Sequence, residues 1–413
     1  MPVRTIVSIW PLFAGLSLIG LAIGVQGSLL GVRAELEGFE DYLIGLLMSC
    51  YFAGFLAGSL LTPKMIQRVG HIRIFAALSA VASVTILIHA IYVEPWAWAL
   101  MRLLTGFAFS TIYVVSESWL NQASTNTNRG QILSIYTAIL LAGICAGQFM
   151  LNLANPREFT LFILISVMVS VAAVPILLSV ITTPTIEDTE RVSIRHLWYR
   201  TKMGVTGIIL SQWVSSILFG MGAVYATKLG FSVYEVANFM GAMMAGGMIL
   251  QYPIGKLSDM IDRRWVMGFA CLFAVFFALM ISRESEASIK LYGLIFLFGG
   301  CSLSLYSIVV ALTNDHLRPA EIVPASGTIV LIAGLTSITG PITAVFWLQI
   351  FGIQSFFLLL AACLLLLAGI SIWRVLTIEA LPSEYKVEIT LQAAPAPVGT
   401  VLHAEEDPTP TSS

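Results

Sequence analysis

Charge is scarce in this chain. Asp, Glu, Lys and Arg make up 11% of its 413 residues, against about 25% in an ordinary soluble domain, so a globule with a charged, water-facing surface is excluded. Cysteine is nearly absent as well. The five present (Cys50, Cys145, Cys271, Cys301, Cys363) lie far apart inside apolar runs with no C-x-x-C spacing, and they read as small packing residues rather than redox or metal ligands. The five histidines (His71, His89, His196, His316, His403) are scattered, none at metal-ligand spacing. No Gly-x-x-x-x-Gly-Lys-[Ser/Thr] segment occurs, so no ATP site is visible. A formal net charge of −2 offers nothing to nucleic acid. No cofactor or metal is expected, and no nucleophile–base pair suggests a membrane-embedded enzyme.

Apolar residues fill the space that charge leaves. They form 58% of the chain, roughly 240 residues, which is about what twelve helical spans of ~20 residues need. Charges and turn residues divide the sequence into twelve such runs near 6–30, 42–62, 74–93, 96–118, 131–153, 159–181, 204–227, 236–255, 265–282, 291–313, 324–349 and 353–376. Backbone amides in lipid must be satisfied within their own segment, so each run is read as a helix. The first run, following Arg4, is too long for the apolar core of a cleavable signal and is taken as the first span.

Orientation follows from Lys and Arg. With the N-terminus inside, fifteen of them fall on the inner side (from Arg4 and Lys64 to Arg374 and Lys386) and five outside (Arg33, Arg157, Lys228, Arg283, Lys290). Both termini are therefore expected in the cytoplasm. The longest internal break, 182–203, reads as a cytoplasmic linker between a six-helix half at 1–181 and another at 204–378. Beyond the second half, 379–413 is rich in Ala, Pro, Thr and Glu and is expected to be a disordered cytoplasmic tail.

The halves repeat one another. At an offset of 193, Gly106 meets Gly299, Tyr113 meets Tyr306, Asn121 meets Asn314 and Gly147 meets Gly340. At an offset of 197, Gly58-x-Leu60 meets Gly255-x-Leu257. Two parallel repeats around a midplane cavity suit alternating access.

One loop carries the most specific pattern: Gly255-Lys256-Leu257-Ser258-Asp259-Met260-Ile261-Asp262-Arg263-Arg264. It resembles the G-x-L-[SA]-D-x-x-[DG]-R-[RK] loop of the major facilitator superfamily of secondary transporters. Arg102-Leu103-Leu104-Thr105-Gly106 resembles the superfamily's R-x-x-q-G motif, which the resemblance links to proton coupling. Tyr113-Val114-Val115-Ser116-Glu117-Ser118-Trp119-Leu120-Asn121 is similar to a little-characterised bacterial branch, the YcaD-like transporters. The resemblance, over about residues 5–378, implies an all-α membrane protein of twelve transmembrane helices in two six-helix pseudo-repeats, the major facilitator fold, in the bacterial inner membrane. It also implies a small-molecule solute, a proton as coupling ion, the lipid bilayer as surroundings and a monomeric state.

The first-half copy of the loop departs from the pattern. Thr62 stands where Asp259 stands, although Gly58, Arg68, Gly70 and Arg73 remain. A charge-assisted clasp of Asp259 with Asp262, Arg263 and Arg264 that holds one state of the gate is expected in the second half, and a weaker or differently made one in the first. Two further departures weigh against drug antiport: no acid lies in span one, and Gly147-Gln148 replaces the Gly-Pro kept at Gly340-Pro341.

Only Arg102 and Glu117 are charged groups within a span, a costly placement that marks a cavity or a partner. With Thr105, Phe109 and Tyr113 they form a stripe along span four. Arg102 reads as cavity-facing, with snorkelling to the interface as the alternative. Glu117 reads equally as a proton site or a helix terminus. Gln26, Gln148, Gln212 and Trp213 are candidate cavity groups, with interhelical hydrogen bonding as the plain alternative. Gly20, Gly24, Gly27 and Gly31 form a small-residue stripe for a close helix neighbour. The expected function is secondary active transport of a small polar or anionic organic solute by alternating access. The alternatives are export of amphipathic compounds, or a non-transporting receptor on the same scaffold.

Overall fold

The computed structural model describes residues 3–124, 129–178 and 192–377. The first ten residues of the linker (182–191) and the whole of 379–413 lie outside the described residues. The elements are α1 (Val3–Leu36), α2 (Asp41–Val69), α3 (His71–Ile91), α4 (Pro95–Ala123), α5 (Arg129–Met150), α6 (Thr160–Leu177), α7 (Ile194–Arg200), α8 (Lys202–Lys228), α9 (Val233–Met260), α10 (Arg263–Ile281), α11 (Ile289–Asn314), α12 (Pro319–Phe351) and α13 (Phe356–Thr377). Twelve of them are long and apolar enough to cross a membrane, one in each run expected from the sequence.

Several helices outrun the apolar stretches that announce them. α2 has 29 residues, about 44 Å at 1.5 Å per residue, against a hydrocarbon core of ~30 Å. α1 continues past Gly31 to Leu36, where Arg33 pairs with Glu37 at 2.7 Å and donates to the Pro156 carbonyl at 3.0 Å. Backbone bonding continues a helix beyond its apolar run when the end charges find partners.

Nothing in the apolar pattern predicts the short α7. Ser193 caps it by accepting from the His196 amide at 3.2 Å, and Leu197 is buried. The Val192 amide donates to the Pro324 carbonyl at 3.3 Å, the Thr328 hydroxyl donates to the Val192 carbonyl, and His196 and Arg200 reach Glu321 at 3.1 and 3.5 Å. The end of the linker is thus fastened to the start of α12.

Two six-helix pseudo-repeats follow from matched glycine crossings. α2 crosses α4 where a Cβ on Gly54 would strike the Leu103 carbonyl and one on Gly106 the Tyr51 carbonyl. α9 crosses α11 the same way, Gly246 against Phe296 and Gly299 against Met243. Gly147 lies on the Leu21 carbonyl of α1, and Gly340 lies near the Trp213 carbonyl of α8. Each crossing needs bare backbone on one side, which is why glycine recurs at a fixed offset.

Between the halves, α1 meets α8, α2 meets α12 and α5 meets α9, whereas α4 and α11 have no extended contact. The close approaches are Gly31 to Val224, Gly45 to Val345, Met48 to Gly220 and Phe149 to Gly241. All four lie in the part of the bundle away from the linker, here called the distal side. Leu56 against Gly334 marks the middle.

Candidate functional site

A small cavity, about 50 Å³ of water-accessible space behind a wider mouth, lies between the halves on the linker side of the Gly31–Val224 and Gly45–Val345 approaches. Ile23, Gln26, Gly27 and Ser28 of α1, Tyr51 and Phe52 of α2, Arg102 and Phe109 of α4 and Gln148 of α5 line one side. Phe219 and Gly220 of α8 and Met240 of α9 line the other. Three of the residues singled out in the sequence, Arg102, Gln26 and Gln148, therefore share one site.

Arg102 sits seven residues into α4 and is 5% exposed. Its guanidinium stacks over the Tyr51 ring, 4.5 Å from the centroid, and Nη2 lies 3.5 Å from the Met48 sulfur. Among the described residues no carboxylate pairs with it, and Nε has no hydrogen-bond partner. A guanidinium so placed keeps part of its desolvation cost, because stacking on a ring offsets about 0.5–2 kcal/mol of a penalty of several kcal/mol per ion. Gln26, 2% exposed, is a second residue of the same lining with an unpartnered donor, Nε2. Gln148 is anchored: its Oε1 accepts from Ser28 Oγ at 2.5 Å, joining α5 to α1.

Span four does not present its polar stripe to one place. Successive members are rotated through a fan of about 120° from Thr105 to Glu117 at 100° per residue. Arg102 and Phe109, in the middle of the fan, line the cavity. Thr105 turns to α3, where its hydroxyl meets that of Thr85 at 2.9 Å. Tyr113 packs on Phe55, with ring centroids 6.0 Å apart. Glu117, at the other edge and closer to the linker side, is buried and accepts from the Tyr136 hydroxyl of α5. No cation pairs with Glu117 among the described residues. Tyr306 of α11, in the other half, is buried with its hydroxyl unpartnered among the described residues.

Two candidates stand apart from the cavity. Gln212 is buried on α8 with Nε2 unpartnered, and Trp213 is half-buried with its carbonyl at the α8–α12 crossing. The glycine stripe of α1 also divides. Gly20 and Gly24 lie against α5, Gly27 lines the cavity with nothing within 4 Å of its Cβ position, and Gly31 meets Val224 of α8. The sequence pattern predicts a single packing seam; α1 instead touches both halves because it lies at their boundary.

On the linker side, Arg263 gathers the second-half loop. Nη1 donates to Asp259 at 2.7 Å and to Ser258 at 3.1 Å, while Nε donates to Asp315 at 2.7 Å. Asp262 caps α10 and is held by Arg264, whose Nη1 also reaches the Arg374 carbonyl at 3.2 Å. These contacts join α9, α10, α11 and α13. In the first half Thr62 takes the place of the acid, its hydroxyl donating to the Gly58 carbonyl at 2.6 Å and lying 2.9 Å from the Thr111 hydroxyl. Arg68 is exposed, and Gly58 serves the crossing with Phe107.

A profile of the Major Facilitator Superfamily matches residues 12–335 and 204–403. The chain belongs to that superfamily. Among its relatives are an uncharacterized MFS-type transporter of Enterobacter sp. strain 638, 27% identical over 357 residues (85% of this chain and 91% of the relative), and the uncharacterized MFS-type transporter YcaD of Escherichia fergusonii, 25% identical over 353 residues with the same coverage. The fold is shared with the nucleoside transporter NupG (TM-score 0.70, 15% identity, covering 92% of this chain and 100% of that one). It is shared also with a bacterial homologue of the human lysosomal transporter Spinster in an inward-facing, occupied state (TM-score 0.75, 14% identity, 94% and 99%). With twelve apolar helices and bacterial relatives of this kind, the chain is a multi-pass protein of the bacterial inner membrane.

Two groups of residues escape a reading of the sequence. Lys228, at the end of α8, binds Glu35 of α1 at 3.1 Å and Asp41 of α2 at 2.7 Å, tying the halves together on the distal side. Asp315 lies 52 positions from Arg263. Superfamily helix order could have suggested that ends of α9 and α11 meet; no local motif announces either partner.

Proposed function

We propose that this transporter moves a small polar or anionic organic solute across the inner membrane by alternating access, as a monomer in the bilayer with both termini cytoplasmic, and with a proton as the coupling ion. The observation that carries the solute class is the buried Arg102 guanidinium beside an inter-half cavity with no described carboxylate as partner. A solute carboxylate supplies the missing charge and accepts two parallel hydrogen bonds. Alternating access is supported by the distribution of contacts: close approaches and the Lys228 cluster lie on the distal side, while α4 and α11 stay apart. Such an arrangement is one end state of a rocking pair, closed distally.

Proton coupling is supported by Glu117. A carboxyl held by the Tyr136 phenol rather than by a cation can gain or lose a proton without an ion pair having to break. The aromatic residues Tyr51, Phe52, Phe109 and Phe219 around the same cavity support a second reading, efflux of amphipathic compounds.

Uptake by purified protein in proteoliposomes against a panel of labelled organic acids, with and without a pH gradient, tests the proposal. Accumulation of an acid that collapses when the gradient is removed is the expected result. If dyes leave inverted vesicles and no acid moves, the second reading replaces the first; if nothing moves in either assay, both fail.

A further inference from the structure

Resting on the transport reading, we infer that the Arg102 cavity recognises a monocarboxylate with a flat apolar body, an aromatic acid, through Arg102 and Gln26 at its polar end and the aromatic wall at the other.

Two residues of the cavity lining carry donors without partners. Arg102 Nε and Gln26 Nε2 are both unpartnered in lining residues more than nine-tenths buried, and both atoms are closed to water until the side chains shift. Leaving two such donors unmade costs about 1–3 kcal/mol each, more for a charged group, and a carboxylate, which only accepts, satisfies both. A polyol needs acceptors as well as donors. Of the amide oxygens in the lining, Gln148 Oε1 already accepts from Ser28 at 2.5 Å and keeps one further lone pair.

Charge limits the head to one negative unit. The lining holds one arginine and no Asp, Glu or Lys. A second charge on the ligand would enter without a counter-ion and carry a desolvation penalty that nothing in the lining offsets. The Tyr51 ring, 4.5 Å from the guanidinium carbon, holds the cation at the lining.

The walls set the body once the halves part enough to admit it. Phe52 and Phe109 from the first half and Phe219 and Met240 from the second face the same space. Phenyl rings and a thioether favour a flat, polarizable partner over a branched or hydrated one.

Binding of benzoate, 4-hydroxybenzoate and indole-3-acetate to the purified full-length transporter, each against its primary amide and with phthalate as the dianion, tests the inference by calorimetry. At least one acid is expected to bind tenfold or more tightly than both its amide and phthalate. Arg102→Gln should erase that preference, Arg102→Lys should retain part of it, and Gln26→Leu should weaken the acid severalfold while leaving the amide unchanged. Size-exclusion profiles and thermal melts establish that each variant is folded. The inference is overturned if no acid outbinds its amide, or if a folded Arg102→Gln protein keeps the preference. That result leaves the transport proposal standing whenever the organic-acid panel shows uptake of some other solute; a panel in which nothing moves removes the transport proposal itself.

Discussion

The two halves are built on the same crossings and carry opposite chemistry. Gly54 and Gly106 do in the first half what Gly246 and Gly299 do in the second. Yet at the offset of 193 the polar groups of the first half face apolar counterparts: Arg102 corresponds to Ile295, Glu117 to Val310 and Gln148 to Pro341. The second half holds its buried charge at the end of the bundle, where Arg263 sits between Asp259 and Asp315. In one half an arginine is buried without a described acid; in the other an arginine is buried between two. The first arrangement leaves binding capacity for a solute, and the second commits the same side chain to holding helices together. A duplicated scaffold can divide labour in this way because the crossings depend on glycine backbone and leave side chains at other positions free to diverge.

This contrast can be pressed hardest at Arg263. Arg263→Ala removes the cation from two carboxylates, and breaking a buried pair costs about 3–5 kcal/mol. A large fall in thermal midpoint in detergent is expected, whereas Arg102→Gln should leave the midpoint level or raise it, since it removes an uncompensated charge. Equal losses from the two would erase the distinction.

Next come the shared crossings. Gly54→Val and Gly246→Val each force a side chain into a carbonyl, and overpacking of this kind costs about 1–3 kcal/mol. Similar destabilisation of both variants is predicted; a normal melt for either one would show that its crossing is not the tight one described.

Within the linker-side cluster the carboxylates differ. Asp315 is 4% exposed and Asp259 34%, so Asp315→Asn should lower the melt more than Asp259→Asn, because water screens the more open pair. The reverse order would place the anchor of the loop at Asp259. Smallest of all is Lys228→Ala. Its partners are partly exposed, so stability should change by about 1 kcal/mol or less. Cysteine-accessibility labelling of the cavity lining should nevertheless increase as the halves part, and unchanged labelling would deny the cluster a gating role.

How much of this is legible in the sequence depends on the range of the interaction. The twelve helices are, because a bilayer demands long apolar runs whatever their neighbours. So are the crossings, since glycine at a fixed spacing is what close backbones require. Arg102, Gln26 and Gln148 are legible as costly polar groups, though not that Gln148 is held by Ser28. Gln212 and Trp213 carry the same composition signal and lie elsewhere, because residue type does not reveal which face of α8 meets the cavity. Thr105 leaves the stripe for α3 because a spacing of three or four drifts around a helix. Lys228 looks like one of five outer charges; that it bridges the halves depends on three helix ends meeting, which no local pattern records. The loop 255–264 reads as a gate clasp, and its described bonds join helices of one half, because its distant partners Asp315 and Arg374 are invisible to a local motif.

Whether Arg102 is kept unpaired for the solute is decided most sharply by proteoliposome uptake with wild-type and Arg102→Gln protein on the organic-acid panel, matched for folded protein by thermal melt. Wild-type protein should show saturable uptake of an anionic solute, and a variant that melts no lower should lose it by about a hundredfold or more. Undiminished uptake by folded Arg102→Gln would refute the pairing of this arginine with the solute.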